Sequence, residues 1–243
     1  MLTTVGNTLF VRNNDVLADL DQAFPALATV GVDLRINNNA ALAHLGRAFP
    51  ALTTVGESLH IRTNAALADL DQAFPVLTTV GGSLGVQYHA VLTDLTQAFP
   101  VVTTVGNLHI QNNAALAVLG RAFPALATVS DYLQISYNNA LANLDQALPV
   151  LETVATLEIM RNRQLTTIGT SFGSLHTVSG SLMWGYNGRP ASTAFSVSTT
   201  GTQEFCASAV AALCPIAPNW SSDGGADSPL DCCTAYCATT TAC

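Results

Sequence analysis

A stretch of 25 residues recurs along most of this chain and constrains its folding more than any single motif. Leu2-Thr3-Thr4-Val5-Gly6 restarts at Leu27, Leu52, Leu77, Val102, Leu126, Leu151 and Leu175. The repeats beginning at Val102 and Leu151 are one residue shorter, which makes seven complete repeats and a degenerate eighth ending near Asn187. Self-similarity at this period marks stacked coils, none of which can bury its own apolar face alone. Leu9-x-Val11 returns as Leu34-x-Ile36, Leu59-x-Ile61, Leu84-x-Val86, Leu108-x-Ile110, Leu133-x-Ile135 and Leu157-x-Ile159. Alternating apolar residues with a β-branched partner read as a half-buried strand, and stacking places these strands side by side in a parallel sheet.

The remaining columns read as supports for that sheet. Asn14, Asn39, Asn64, Asn113, Asn138, Asn162 and Asn187 share one position, with His89 in the fourth repeat. An amide both donates and accepts, so this column reads as a ladder that satisfies backbone groups at the turn. Leu17 and Leu20, three apart, suit an irregular or short 3₁₀ turn that points apolar groups inward. Phe24, Phe49, Phe74, Phe99 and Phe123, each followed by Pro, form an apolar spine, which Leu148 and Phe172 extend. Proline there fixes the corner and blocks a longer helix.

This Leu-x-Leu-x-x-Asn-x-x-Leu-x-x-Leu pattern resembles the leucine-rich repeats. Its Thr-Val-Gly-x-x-Leu segment is similar to the receptor L-domain branch found in insulin-receptor-type ectodomains and fungal GPI-anchored cell-wall proteins. The resemblance covers residues 2 to about 188. It implies a mainly-β, right-handed solenoid with parallel sheets, in which the Leu-x-Ile sheet is the usual ligand surface.

Composition narrows the partners. The chain has 243 residues, is 49% hydrophobic and only 10% charged, and carries a net charge of −8. All eight basic residues are Arg. So acidic a chain is a poor nucleic-acid binder, because that affinity is built on phosphate contacts. The apolar content excludes disorder. No run approaches the roughly 20 apolar residues of a membrane span.

The six cysteines, Cys206, Cys214, Cys232, Cys233, Cys237 and Cys243, all fall in the last 38 residues. An even count in a short loop-rich tail reads as a disulfide framework whose pairing stays open. A zinc site is the weaker reading, since no Cys-x-x-Cys pair occurs. The chain therefore divides into a solenoid over 1–188, of about eight coils of 24–25 residues, and a disulfide-stapled C-terminal cap over 189–243. A short helix is expected within Phe205–Cys214. The tail implies an oxidising compartment, hence a secreted or cell-surface protein, and Asn219-Trp220-Ser221 fits as a glycosylation sequon. Met1 leads straight into repeat sequence, so a leader or a first segment is expected to be missing, and an uncapped first coil would be a surface for self-association.

Three groups of residues are candidates for function. The outward positions of the Leu-x-Ile sheet carry Phe10, Arg12, Arg35, His60, Arg62 and His109, with Tyr88, Tyr137 and Tyr186 at its edge. Irregular side chains on a regular scaffold suit recognition of a protein or a glycan. The alternative is an ice-binding face made by the column Thr4, Thr29, Thr54, Thr79, Thr104, Thr128, Thr153 and Thr177, although a structural ladder explains it as well. Thr3, Thr53, Thr78 and Thr103 add a partial second column, but strict strand alternation would let only one column face outward. The third group is acidic: Asp19, Asp69 and Asp94 in one column, Asp21, Asp71 and Asp145 in another, with Arg47 and Arg121 near enough to pair weakly. A solvated face is the expectation there, and turn chemistry accounts for Asp223, Asp227 and Asp231 in the tail. No nucleophile elbow, zinc-protease motif or phosphate loop occurs. His60 and His109 share a column two coils apart, about 9–10 Å, too far to ligate one metal. The expectation is a non-enzymatic module without cofactor or metal.

Overall fold

The structure, a computed structural model, describes residues 1–188, 198–199 and 203–205. Each coil supplies a two-residue strand and a longer one. The short strands are β1 (Thr4–Val5), β3 (Thr29–Val30), β5 (Thr54–Val55), β7 (Thr79–Val80), β9 (Thr104–Val105) and β13 (Thr177–Val178). The longer ones are β2 (Leu9–Arg12), β4 (Leu34–Asn37), β6 (Leu59–Arg62), β8 (Ser83–Gln87), β10 (Asn107–Gln111) and β14 (Leu182–Gly185). β11 (Thr128–Ser136) and β12 (Thr153–Met160) run through both positions and join the two sets. Every pairing among the described strands is parallel, Leu34 beside Leu59 and Thr29 beside Thr54, and the register shifts once, between Val129 and Tyr132 where β11 meets β12. The chain is thus a mainly-β solenoid of about seven turns, with no helix among the described residues.

A third side of each coil is held by single parallel bridges, Asp19 to His44 to Asp69 and Asp94 to Val118 to Asn143 to Thr167. Of the two forms the leucine spacing suits, it takes the irregular turn and not a regular 3₁₀ one. Each coil has isolated turn bonds, such as Leu42 N–H to the Asn39 carbonyl (3.2 Å) and Leu52 N–H to the Phe49 carbonyl (3.3 Å). A 3₁₀ helix needs consecutive bonds of this kind. Here the intervening N–H groups bond the preceding coil instead, as Ala43 does to Ala18 (2.8 Å).

Beyond residue 188 the stacking continues. β15 (Ser198–Thr199) pairs with β13 and β16 (Gln203–Phe205) pairs with β14, both parallel. Phe205, the expected start of a short helix, ends a strand instead. The six cysteines, the sequon and the three tail aspartates lie outside the described residues.

The core follows the repeat. Leu27, Leu34, Ile36, Leu42 and Leu45 are fully buried, as are their counterparts in the middle coils. The phenylalanine rings stack nearly parallel, with centroids 5.1 to 5.5 Å apart from Phe24 through Phe123. One glycine column sets the closeness of the coils: a Cβ on Gly56 would stand 2.0 Å from the Gly31 carbonyl oxygen.

The asparagine ladder is formed. Asn39 donates its backbone N–H to Asn64 Oδ1 (3.0 Å) and its amide to the Val11 carbonyl (2.9 Å). Asn138 and Asn162 repeat the arrangement. These amides are buried, and each satisfies main-chain groups that would otherwise be stranded. His89 takes the same place, with Nδ1 3.1 Å from the Asn64 carbonyl and Nε2 3.1 Å from the Ile61 carbonyl.

Candidate functional site

The outward positions of the longer strands form one continuous face. Register places Phe10, Arg35, His60, Gly85, His109, Gln134, Glu158 and Met183 in one row. Arg12, Asn37, Arg62, Gln87 and Gln111 fall in the next. The sequence-derived site residues are therefore neighbours, and the row divides at Gly85 into two halves of different chemistry.

The first half is cationic and incompletely satisfied. Arg12 lies 4.5 Å from the Phe10 ring centroid and Arg35 lies 5.8 Å from it, within cation–π range. Arg35 also pairs with Asp33 at 2.8 Å. Arg62 forms no ion pair among the described residues. Arg35 Nε, His60 Nε2 and Arg62 Nε are buried and have no hydrogen-bond partner. Burial, then the charges of Arg62 and Arg35, lower His60 from 6.5 to about 4, so its ring is neutral at pH 7. Burial, then Arg35, also lowers Arg62.

The second half bonds to itself along the row of His109, while in the next row Ser136 Oγ is buried without a hydrogen-bond partner. His109 Nδ1 lies 3.3 Å from Gln134 Oε1, and Gln134 donates its amide to Glu158 Oε1 at 2.9 Å. The Tyr132 hydroxyl donates to the other Glu158 oxygen. Burial and that hydrogen bond raise Tyr132, while burial lowers His109. Gln134 and Glu158 continue the outward column that alternation marks in the sequence; Tyr132 does not belong to it. Its signal is one aromatic in a column that otherwise reads Thr8, Asp33, Ser58, Ser83 and Asn107.

Gly85 separates the halves. Its strand neighbours in the row are His60 and His109. A Cβ on it would stand 3.2 Å from His60 Cδ2 and 3.6 Å from Gln87 Oε1. Gly85 is buried, and over it lie the His60 ring and Gln87, itself only 2% exposed. Tyr88 follows it, 53% exposed, with φ of 62°. Tyr137 and Tyr186 occupy the same left-handed position, which asparagine holds at residues 13, 38 and 112. Arg161 lies 5.5 Å from the Tyr137 ring and 4.6 Å from the Tyr186 ring.

The threonine side differs from the alternation argument. Thr54, Thr79 and Thr104 face outward while Val55, Val80 and Val105 are buried. Thr53, Thr78 and Thr103 are exposed as well. The strands there are only two residues long, so the preceding threonine lies at a corner, outside the alternation. Thr53 Oγ1 donates to the Ala28 carbonyl and Thr78 Oγ1 to the Thr53 carbonyl, each at 3.1 Å. The second column therefore also ties one coil to the next.

The acidic columns lie on the third side. His44 Nδ1 is 3.2 Å from Asp69 Oδ2. Arg47 does not pair with the acidic column through its guanidinium: its Nε donates to Gln72 Oε1 at 2.9 Å, and its backbone N–H goes to Asp21 at 3.0 Å. Asp145 accepts from the Thr170 N–H (3.0 Å) and hydroxyl (3.1 Å), bonds that lower its pKa. Among the described residues no three His, Cys, Asp or Glu side chains converge on a metal position, and no helix is long and apolar enough to cross a membrane. Compared with family models, curated proteins and solved structures, the chain finds no match.

Proposed function

We propose that this chain is a secreted, non-enzymatic recognition module of the leucine-rich-repeat, receptor L-domain kind. It binds an extracellular protein or glycan through the face of its longer strands, and its cysteine-rich tail serves as a disulfide-stapled cap. The observation that carries this reading is the set of unpartnered nitrogens of Arg35, His60 and Arg62. Buried polar groups are almost always satisfied within a fold, and a cluster left open on one face marks where a ligand completes it. The reading predicts that the triple variant Arg35→Ala, His60→Ala, Arg62→Ala binds no member of an array of glycans and extracellular proteins to which the native chain binds, at unchanged melting temperature. Undiminished binding by that variant would remove the face from consideration.

A second reading, ice binding through the Thr column, is favoured by one observation: both threonines of Thr53-Thr54, Thr78-Thr79 and Thr103-Thr104 reach the surface. In-register strands place equivalent hydroxyls about 4.8 Å apart, so two exposed columns form a regular array rather than a single file. Thermal hysteresis with faceted ice, lost on replacing Thr54, Thr79 and Thr104 by Tyr, would carry it. Round ice discs and no freezing gap would end it.

A further inference from the structure

We infer that Tyr88 and Tyr137 form a slot for the guanidinium of an arginine side chain presented by a protein partner. This rests on the recognition reading above and names a group that such a partner offers.

One column of the solenoid builds the slot. Tyr88, Asn112, Tyr137, Arg161 and Tyr186 each follow the last residue of a longer strand and share a left-handed backbone, with φ between 54° and 62°. The backbone N–H of each donates to a strand-end carbonyl one coil on: Tyr88 to Gln111 (3.1 Å), Asn112 to Ser136 (3.1 Å), Tyr137 to Met160 (3.1 Å) and Arg161 to Gly185 (2.9 Å). The column therefore rises with the sheet, about 4.8 Å per coil, and a tyrosine stands at every second coil. The turn does not require an aromatic, since Asn13, Asn38 and Asn112 hold the same position.

Arg161 shows what the interval between two such tyrosines holds. Its guanidinium carbon lies over both rings, 5.5 Å from the Tyr137 centroid and 4.6 Å from that of Tyr186. Two coils, about 9.6 Å, separate those tyrosines, so the cation sits between them rather than beside one of them. Both distances are within cation–π range, and a planar, weakly hydrated guanidinium is the cation that stacks best on aromatic faces.

The interval between Tyr88 and Tyr137 has the same length and the same backbone, but Asn112 stands in it. Its side chain is too short to place a group where the Arg161 guanidinium lies. Among the described residues its amide makes no hydrogen bond and no cation lies over the Tyr88 ring. Arg62 belongs to the coil on the other side of Tyr88. Tyr88 is 53% and Tyr137 45% exposed, so the slot opens to solvent. An amide oxygen at its floor accepts a guanidinium N–H. The net charge of −8 draws a cationic partner toward the chain.

The test is an NMR titration of the intact chain with N-acetyl-arginine amide, and with N-acetyl-citrulline amide as its uncharged isostere. The ring protons of Tyr88 and Tyr137 should shift together, the arginine δ-methylene should move upfield between the two rings, and binding should saturate in the millimolar range. Tyr88→Asn, which installs a residue this turn already uses, should weaken binding roughly three- to fivefold, the effect of one exposed cation–π contact. Asn112→Arg fills the slot from within, as Arg161 fills the next one, and should abolish binding. Arg161→Asn should open a second slot and bring the Tyr186 ring into the response. Equal binding of the citrulline amide would overturn the proposal, as would undiminished binding by Asn112→Arg. The Arg35, His60, Arg62 triple variant leaves the slot intact and should bind the probe like the native chain; loss of the probe there would move the site off the tyrosines and overturn the slot. If the arginine probe shifts neither ring while the triple variant still loses the native chain's partner, the slot falls and the recognition reading stands.

Discussion

The two halves of one sheet face make an instructive pair. Both are built on the same Leu-x-Ile strands, the same asparagine ladder and the same buried leucines. From His109 onward His109, Gln134, Glu158 and Tyr132 bond one another, with Glu158 collecting both Gln134 and Tyr132, and only the Ser136 hydroxyl is left unmet. Before Gly85, Arg35, His60 and Arg62 each leave a buried nitrogen unmet. A stacked scaffold brings every outward residue beside its equivalent 24 or 25 positions away, and it is indifferent to what they are. The closed half contributes to stability. The open half leaves those nitrogens without such bonds.

The sharpest contrast is in truncation. Glu158→Ala strands the Tyr132 hydroxyl and the Gln134 amide in a half-buried setting and should cost about 1–3 kcal/mol in urea melts. Arg62→Gln, with no partner to strand, should stay within about 0.5 kcal/mol. If the two cost the same, the division between the halves fails.

Acid should act on the open half next. The folded pKa of His60, about 4, lies below the ordinary 6.5, so between these values the unfolded chain binds a proton that the folded chain refuses. Stability present above pH 6.5 is therefore lost as pH falls toward about 4. His89, lowered by burial, acts in the same direction. His60→Gln should flatten part of this slope, and an unchanged slope would show that His60 does not contribute to it. The groups facing that ring, Arg62, Arg35, Asp33 and His109, are named by the same electrostatics.

A smaller effect probes the scaffold that both halves share. His89 has no side-chain carbonyl to accept the Asn64 N–H, as Asn64 accepts that of Asn39. Both its ring nitrogens face carbonyl oxygens, yet a neutral imidazole donates through only one. His89→Asn should restore the ladder and raise stability by about 1 kcal/mol, measured by chemical unfolding. A loss would mean that ring packing outweighs the missing bonds. The smallest effect belongs to Tyr88→Asn. Relief of its left-handed backbone should stabilise the fold by about 0.5–1 kcal/mol. Destabilisation instead would make the tyrosine a structural cover for the turn.

The solenoid was legible because its determinants repeat. Leu-x-Ile alternation, the Asn column, the Phe-Pro corner and the Thr-Val pairs each recur at one spacing, and a recurring column can only stack on itself. Register, core and ladder follow from that, and the amino-acid sequence alone determined them. The third side of the coil was less legible. Leu17 and Leu20 carry a helix-like spacing, but the backbone N–H groups around them have a better acceptor one coil away than one turn away. The second threonine column was visible, but its outward direction was not, for a related reason: alternation holds within a strand, and sequence does not show that these strands are two residues long. The candidate site was half legible. Its cations were visible as a column, but only the tertiary structure decided which of them have partners. Pairing of that kind depends on a few ångströms of side-chain reach, within a coil for Asp33 to Arg35 and Gln87 toward Gly85, and between neighbouring coils for Glu158 to Tyr132. Such contacts join residues that are close or 24 to 26 positions apart in the chain, and no local pattern ranks one above another.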